Sequence, residues 1–314
     1  MPTKHAFFAT DLHGSEVCFR KFLNAAEAYG AEILIWGGDV TGKMMIPVVA
    51  QQDETYRVVY EGAELYARSR HELATLCGRI RNAGCYPIQV DAEEIEAMGD
   101  QEVEQRFEQE MRRVLERWVT MAEERLSPRG VRCVAIPGND DQPFVDSIFA
   151  DSGFVENADG RVIDLDGAEI VGLGNANPTP WACPRDVPEE SLEEKIEAAV
   201  ADVTRMERCI FDFHVPPFDS QLDLCPEVDS MLRPVMSGGQ FRLAPAGSTA
   251  VRKAIERYQP LAGVHGHIHE GRGVSKIGRT VCVNPGSEYQ SGVLTGCLLV
   301  VSKKGRLTWT LTTG

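Results

Sequence analysis

Five of the seven histidines in this 314-residue chain stand where apolar runs end: His13, His214, His265, His267 and His269. Asp11, Asp39 and Asn139 occupy the same kind of position. Two pairs have a spacing of two, Asp11 with His13 and His267 with His269. In extended backbone, residues i and i+2 project to one side, so each pair presents two donors to one centre. Imidazole mixed with carboxylate suits Mn, Fe, Zn, Ni or Co, whereas an all-oxygen set would point to Mg or Ca. Asp39 follows Gly37 and Gly38, which let the backbone turn sharply, and its two oxygens can reach two ions. Asn139 adds a neutral carbonyl oxygen. These residues predict metal-assisted chemistry, with donors drawn from residues 11 to 269.

Bringing such distant groups together requires an α/β sheet, whose C-terminal strand ends form one rim. Residues 6–10 read as a buried strand ending at Asp11-Leu12-His13-Gly14. Ser15 caps a helix through Phe19, Phe22, Leu23 and Ala26 that stops at Gly30. Residues 33–36 form the next strand and complete a βαβ unit with parallel strands. The pattern resumes at 131–136, just before Pro137-Gly138-Asn139-Asp140-Asp141. Two strands around 162–165 and 170–173 precede a charged helix at 189–206 and the strand Cys209–Phe213, which ends at His214. Ser248 caps a helix to Tyr258, followed by a strand at 261–264 and then the segment 265–269. Apolar segments near 280–284, 296–302 and 306–311 complete the sheets.

Residues 43–128 interrupt this order. A hairpin (46–49 and 56–60, turning at Gln52-Asp53-Glu54) leads into helices at 69–83 and 101–126. In the second helix Val103, Phe107, Met111, Val114, Leu115, Trp118, Ala122 and Leu126 recur at three- and four-residue steps. Residues 91–110 carry nine acids and one base, a solvated helical face. The chain reads as a single domain, 1–314, with 43–128 inserted as a hairpin-plus-helices cap. Residues 219–247, rich in turn-forming types, read as a long irregular loop bordering the site.

Composition limits the function classes. Hydrophobic residues at 43% and charged residues at 25% describe an ordinary globular chain. With 32 Lys+Arg against 47 Asp+Glu, the net charge of -15 disfavours a sequence-independent nucleic-acid partner, which needs a basic face. A phosphate substrate stays compatible, because bound cations reverse the local field. Nine cysteines, none paired at the spacing of a zinc knuckle, read as small buried hydrophobes in a reducing compartment. With no signal-like leader and no apolar run of membrane-spanning length, the expected location is the cytoplasm, with no membrane partner.

Asp11-x-His13, Gly38-Asp39, Gly138-Asn139-Asp140, His214 and Gly266-His267-x-His269 resemble, in order and spacing, the blocks of the calcineurin-like metallophosphoesterase family. Asn284-Pro285-Gly286-Ser287 looks like a further motif of some subfamilies. The resemblance covers the α/β core and leaves out 43–128 and 219–247. It implies a four-layer αββα sandwich of two mixed sheets and two divalent transition-metal ions. Asp11, His13 and His269 would hold one ion, and Asn139, His214 and His267 the other. Asp39 would bridge them, and a hydroxide held between the ions would attack phosphorus in line.

There is one departure. Many relatives carry a histidine directly after the Asn, where this chain has Asp140 and then Asp141. An ionised carboxylate repels phosphate and cannot donate a proton unless its pKa is raised. A diester carries one negative charge and a monoester about two, so the expected substrate is a small phosphodiester. Asp39, Asn139 and Asp140 are the candidate catalytic residues. The alternatives are a scaffold that keeps the fold with little turnover, and a nuclease, which the charge balance disfavours. His265 reads as a core or supporting histidine, and Asp212 as a buried polar residue of undecided role.

Overall fold

The first strand, β1 (Lys4–Ala9), is buried on both faces from Ala6 onward, so layers must cover each side. In the computed structural model, which describes residues 3–314, the chain continues through α1 (Glu16–Ala28), β2 (Ile33–Gly37), β3 (Met44–Ala50), β4 (Tyr56–Tyr60) and β5 (Ala63–Ala67). Next come α2 (Arg70–Asn82), β6 (Cys85–Val90), α3 (Ala92–Ala97), α4 (Asp100–Leu126), β7 (Arg132–Ile136) and α5 (Phe144–Asp151). The middle holds β8 (Val155–Asn157), β9 (Val162–Asp164), β10 (Glu169–Leu173), α6 (Glu189–Val200) and β11 (Cys209–Phe213). Four short strands follow, β12 (Leu224–Pro226), β13 (Met236–Ser237), β14 (Gln240–Phe241) and β15 (Leu243–Pro245). The chain closes with α7 (Thr249–Tyr258), β16 (Ala262–Val264), β17 (Gly273–Ile277), β18 (Thr280–Asn284), β19 (Thr295–Val301) and β20 (Leu307–Thr313).

Two six-stranded mixed sheets result, in the orders β20-β19-β1-β2-β7-β8 and β17-β18-β16-β11-β10-β9. Parallel pairs build the centre of each, with antiparallel strands at one edge of the first and both edges of the second. Side chains of period two divide the interior into layers. Ala6, Phe8, Ile33, Ile35, Val134 and Ile136 meet Ile170, Ile210, Val264 and Val283 between the sheets. Their neighbours Phe7, Ala9, Leu34 and Trp36 face outward onto α1, α4 and α5. Helices α6 and α7 cover the second sheet through Leu192, Ile196, Val251 and Ile255. This is the αββα sandwich expected from the sequence.

Within 43–128 the expected hairpin is β3 and β4, and the expected helices are α2 and α4. The hairpin is extended into a four-stranded sheet, β5-β4-β3-β6, closed over Ile46, Val48, Val58, Tyr60, Leu73 and Ile80. Strand β6 escapes sequence reading because Pro87 argues against a central strand. Helix α4 packs on the main sandwich: Trp118 stacks on Phe19 at 4.2 Å between ring centroids, with Trp36 at 5.9 Å.

Two further differences have local causes. The helix expected over 189–206 stops at Val200, because the Glu169 carboxylate takes the Thr204 and Arg205 amides at 3.1 and 2.9 Å. Residues 219–247 are ordered into two small ladders, β12 with β15 and β13 with β14. Buried Asp223 ties this strap by accepting from the Asp219, Ser220 and Gly247 amides. All nine cysteines are free, and six are buried. No helix among the described residues is long and apolar enough to cross a membrane.

Candidate metal centre

The loops after β1 and β2 continue the strand pairing: the Asp11 amide donates to Gly38 O at 3.0 Å, His13 to Asp39 O at 2.9 Å and Gly14 to Val40 O at 3.1 Å. This zipper holds Asp11, His13 and Asp39 at φ of 52°, 41° and 48°, and His267 reaches 65°. Four of the eight expected site residues are therefore left-handed, at on the order of 1–3 kcal/mol each. The paired donors converge, but the extended geometry expected for them is not how they do so. The loops turn back on themselves, because an extended continuation would carry the side chains past the rim.

Such crowding requires glycine. A side chain on Gly266 would put its Cβ 2.2 Å from Asp11 Oδ2, and one on Gly38 (φ 101°) would reach 2.6 Å from His214 Nδ1. Asp141 joins the loops after β2 and β7. Its buried carboxylate accepts from the Val40 amide (2.9 Å), the Thr41 amide and hydroxyl (2.9 and 2.6 Å) and the Gly138 amide (2.8 Å).

Asn284 does the same for the histidine loop, donating to Gly266 O, Ile268 O and Leu222 O at 3.2, 2.9 and 3.2 Å. The Ser287 hydroxyl donates to Asp11 O at 2.7 Å. The 284–287 motif thus brackets the donor loops from behind. Asn284→Ala is expected to cost about 2 kcal/mol of stability, because buried carbonyls lose their donor. Metal retention should weaken on the order of tenfold. Denaturant titration and chelator competition measure both; two unchanged values would remove the bracketing role.

Three groups of side chains each bring three ligand atoms within 4.8 Å of one another: Asp11, His13, His269; Asp11, Asp39, His214; and His13, Asp39, Asp140. The His13 and His269 Nε2 atoms are 3.1 Å apart, and each lies near a carboxylate, His13 at 3.4 Å from Asp39 and His269 at 3.5 Å from Asp11. His214 Nε2 is 3.4 Å from Asp39 and 3.8 Å from Asp11. Two ring nitrogens aimed at each other, with carboxylates alongside, form a donor set that fits a cation between them. The clusters share Asp11, His13 and Asp39 and suit two divalent ions. Sequence reasoning gave a bridging role to Asp39; Asp11, His13 and Asp39 each belong to two of the three groups.

Electrostatics agree. Burial works to raise the Asp11 carboxyl, but His269 and His214 hold it at about 2. Asp39 is likewise buried yet held well below the usual carboxylate range by His214 and His13. Burial drives His13 down to about 3 and His267 to about 4, leaving both neutral with a lone pair to give. Against burial, Asp39 and Asp11 push His214 up to about 10, and Asp11 raises His269. The field that draws protons onto these two rings is one a cation would neutralise.

Asn139 and His267 stand beside these clusters, with Asn139 Oδ1 2.9 Å from His267 Nδ1, and the His267 amide donates to both Asp11 oxygens at 3.1 Å. Asp140 turns its carboxylate to Lys43 Nζ at 3.0 Å, and its amide donates to Asp39 Oδ1 at 3.0 Å. His265 is a core residue, its Nδ1 donating to Phe213 O at 2.7 Å. Asp212 is buried with neither oxygen hydrogen-bonded among the described residues, and burial pushes its pKa to about 8. Sequence reasoning missed Lys43, Asp186 and Tyr289. Asp186 accepts from Asn139 Nδ2 at 2.8 Å, and the Tyr289 ring lies 4.7 Å from that of His13. None of the three belongs to a local motif.

No family model matches the chain. It is 28% identical over 155 residues to the uncharacterized protein MJ1162 of Methanocaldococcus jannaschii, a match covering 48% of this chain and 62% of that protein. The chain thus spans 62% of the length of the curated relative it matches. One solved structure, 16% identical, superposes with a TM-score of 0.58 over 98% of each chain. It shares the fold. TT1561 of Thermus thermophilus is 14% identical with a TM-score of 0.49, over 99% of this chain and 98% of that one.

A cleft of about 540 Å³ opens at these residues. Asp39, Asn139, His267 and His269 line it. Lys43, Asp140 and Glu270 supply its other charges, and Trp181 and the strap its apolar wall.

Proposed function

We propose that this chain is a dinuclear metal-dependent phosphoesterase that hydrolyses small phosphodiesters. The observation that carries the reading is the overlap of three clusters of imidazole and carboxylate donors at the strand ends, which share Asp11, His13 and Asp39. Asp11, His13 and His269 are the ligands we assign to one ion, Asn139, His214 and His267 to the other, with Asp39 common to both. Two bound divalent ions supply Lewis acidity and a nucleophile available at neutral pH. The chain contributes orientation. The Asp140 amide holds one Asp39 oxygen, the His267 amide holds Asp11, and the Asn139 side chain is fixed by Asp186.

Substrate charge follows from the cleft. Lys43 is its one Lys or Arg, and Asp140 already pairs with it, while Glu270 adds a second acid. A diester monoanion meets less repulsion here than a monoester dianion. The chain's net charge of -15 weighs against nucleic acid as substrate, and the free, mostly buried cysteines support a cytoplasmic location. We treat 1–314 as one domain with 43–128 inserted, since α4 belongs to the main core.

Metal analysis should find about two transition-metal ions per chain, and bis-aryl phosphate should be hydrolysed faster than mono-aryl phosphate at fixed metal. Faster monoester hydrolysis would overturn the diester assignment. Metal-independent or absent turnover of both would overturn the enzyme.

A further inference from the structure

We propose that the organic group of the substrate is planar, apolar and uncharged, and that it lies between Trp181 and the Val228–Leu232–Pro234 wall of the strap. The proposal rests on the phosphoesterase reading and specifies what that site takes. The cleft is lined by Asp39, Asp140 and His269 of the metal-binding clusters, so a group bound in it lies beside the reacting phosphoryl group. Its volume of about 540 Å³ is that of a site for a drug-sized molecule.

The walls are large apolar side chains left to solvent beside a polar centre: Trp181 is 63% exposed and Leu232 45%. Scattered surface apolar residues need no explanation, but these line one cleft with Pro226, Val228, Pro234 and Ile268.

Both walls are held in place by built contacts. The Asp186 carboxylate accepts from the Thr179 amide (2.9 Å), the Thr179 hydroxyl (2.6 Å) and the Cys183 amide (3.0 Å), fixing the turn that carries Trp181. The other Asp186 oxygen binds Asn139, so this turn is coupled to the metal centre. In the strap, Leu232 sits at φ 58°, a left-handed backbone that a bulky side chain adopts only under constraint. The constraint is Asp229, whose carboxylate accepts from the Met231 and Arg233 amides at 2.8 and 3.0 Å and whose carbonyl accepts from Leu232. This turn brings an apolar side chain to the cleft that the exposed indole also lines, and an indole face takes a flat group by stacking. With Lys43 paired and acids at Asp140 and Glu270, nothing in the cleft beyond the metal ions would neutralise a further negative charge.

The test uses metal-loaded protein and diesters with one leaving group, 4-nitrophenyl, and a variable second ester: methyl, naphthyl or sulfonated naphthyl. The naphthyl ester should exceed the methyl ester at least tenfold in kcat/KM, mainly through KM. Sulfonation should remove most of that gain. Trp181→Ala and Leu232→Ser should each lower the naphthyl-to-methyl ratio at least fivefold, while Val59→Ser, on the distant hairpin, should not move it. Calorimetric affinities of dimethylphosphinate and methyl(naphthylmethyl)phosphinate, which carry only P–C bonds and are not hydrolysed, should show the same preference and the same losses. If no ester turns over, the phosphoesterase reading fails and the affinity ratio still decides the slot. Ratios near one in wild type, or ratios unmoved by both substitutions, overturn the proposal.

Discussion

Asp39→Asn is expected to drop the metal content below the wild-type level and to cut diester turnover by on the order of 10³-fold. Asp39 is the residue whose carboxylate lies 3.4 Å from both His13 Nε2 and His214 Nε2. An amide keeps the shape but offers one weak oxygen donor in place of two charged ones. Losing an outer partner of a metal ligand costs 10–100-fold, so loss of the shared ligand itself should cost more. The metal-free folded state should lose some stability as well, because His214 and His13 together favour the Asp39 carboxylate there. Metal analysis, thermal unfolding and the diester assay on one preparation separate these effects. Full activity with full metal content would exclude Asp39 as the shared ligand.

The second large effect is expected at a residue that touches no substrate. Asp141→Ala should destabilise the protein by about 3–5 kcal/mol, a size reserved for broken buried networks. Four donors lose their acceptor: the Val40, Thr41 and Gly138 amides and the Thr41 hydroxyl. Hydrogen bonds to a charged group contribute about 1.5–3 kcal/mol each, and the carboxylate's own burial cost offsets part of their sum. The loops carrying Asp39 and Asn139 would loosen together, so activity should fall 10–100-fold, as for lost supporting contacts. Asp141→Asn, which keeps one acceptor, should recover part of the stability. The midpoint of denaturant unfolding gives the first number; if it stays at the wild-type value, the joining role is wrong.

Much of the sandwich was legible because its strands are short, apolar and bounded by turn residues. Cys209–Phe213 and Thr280–Asn284 have the limits read from sequence, and Trp118 announces its burial through helical spacing. Helix α5 and strands β5, β8 and β17 were missed, being too brief for periodicity to stand out. The donors were legible for a different reason: each stands at a strand end, and strand ends share a rim. Their left-handed backbone was not, since nothing in an Asp-x-His spacing distinguishes a strand from a tight turn. Lys43, Asp141 and Asp186 act through Asp140, Thr41 and Asn139, tens to about a hundred residues away. Pair contacts at that separation leave no trace in a single sequence.

The placement of β1 between β2 and β19 has a consequence for how the chain is made. As a nascent chain leaves the ribosome, β1 finds β2 at once but must wait for residues 295–301 before its other edge is paired. That edge, with Phe7 and Phe8, is an adhesive surface throughout synthesis. Completion of the first layer is thus a late, long-range event, which slows assembly and makes chaperones useful.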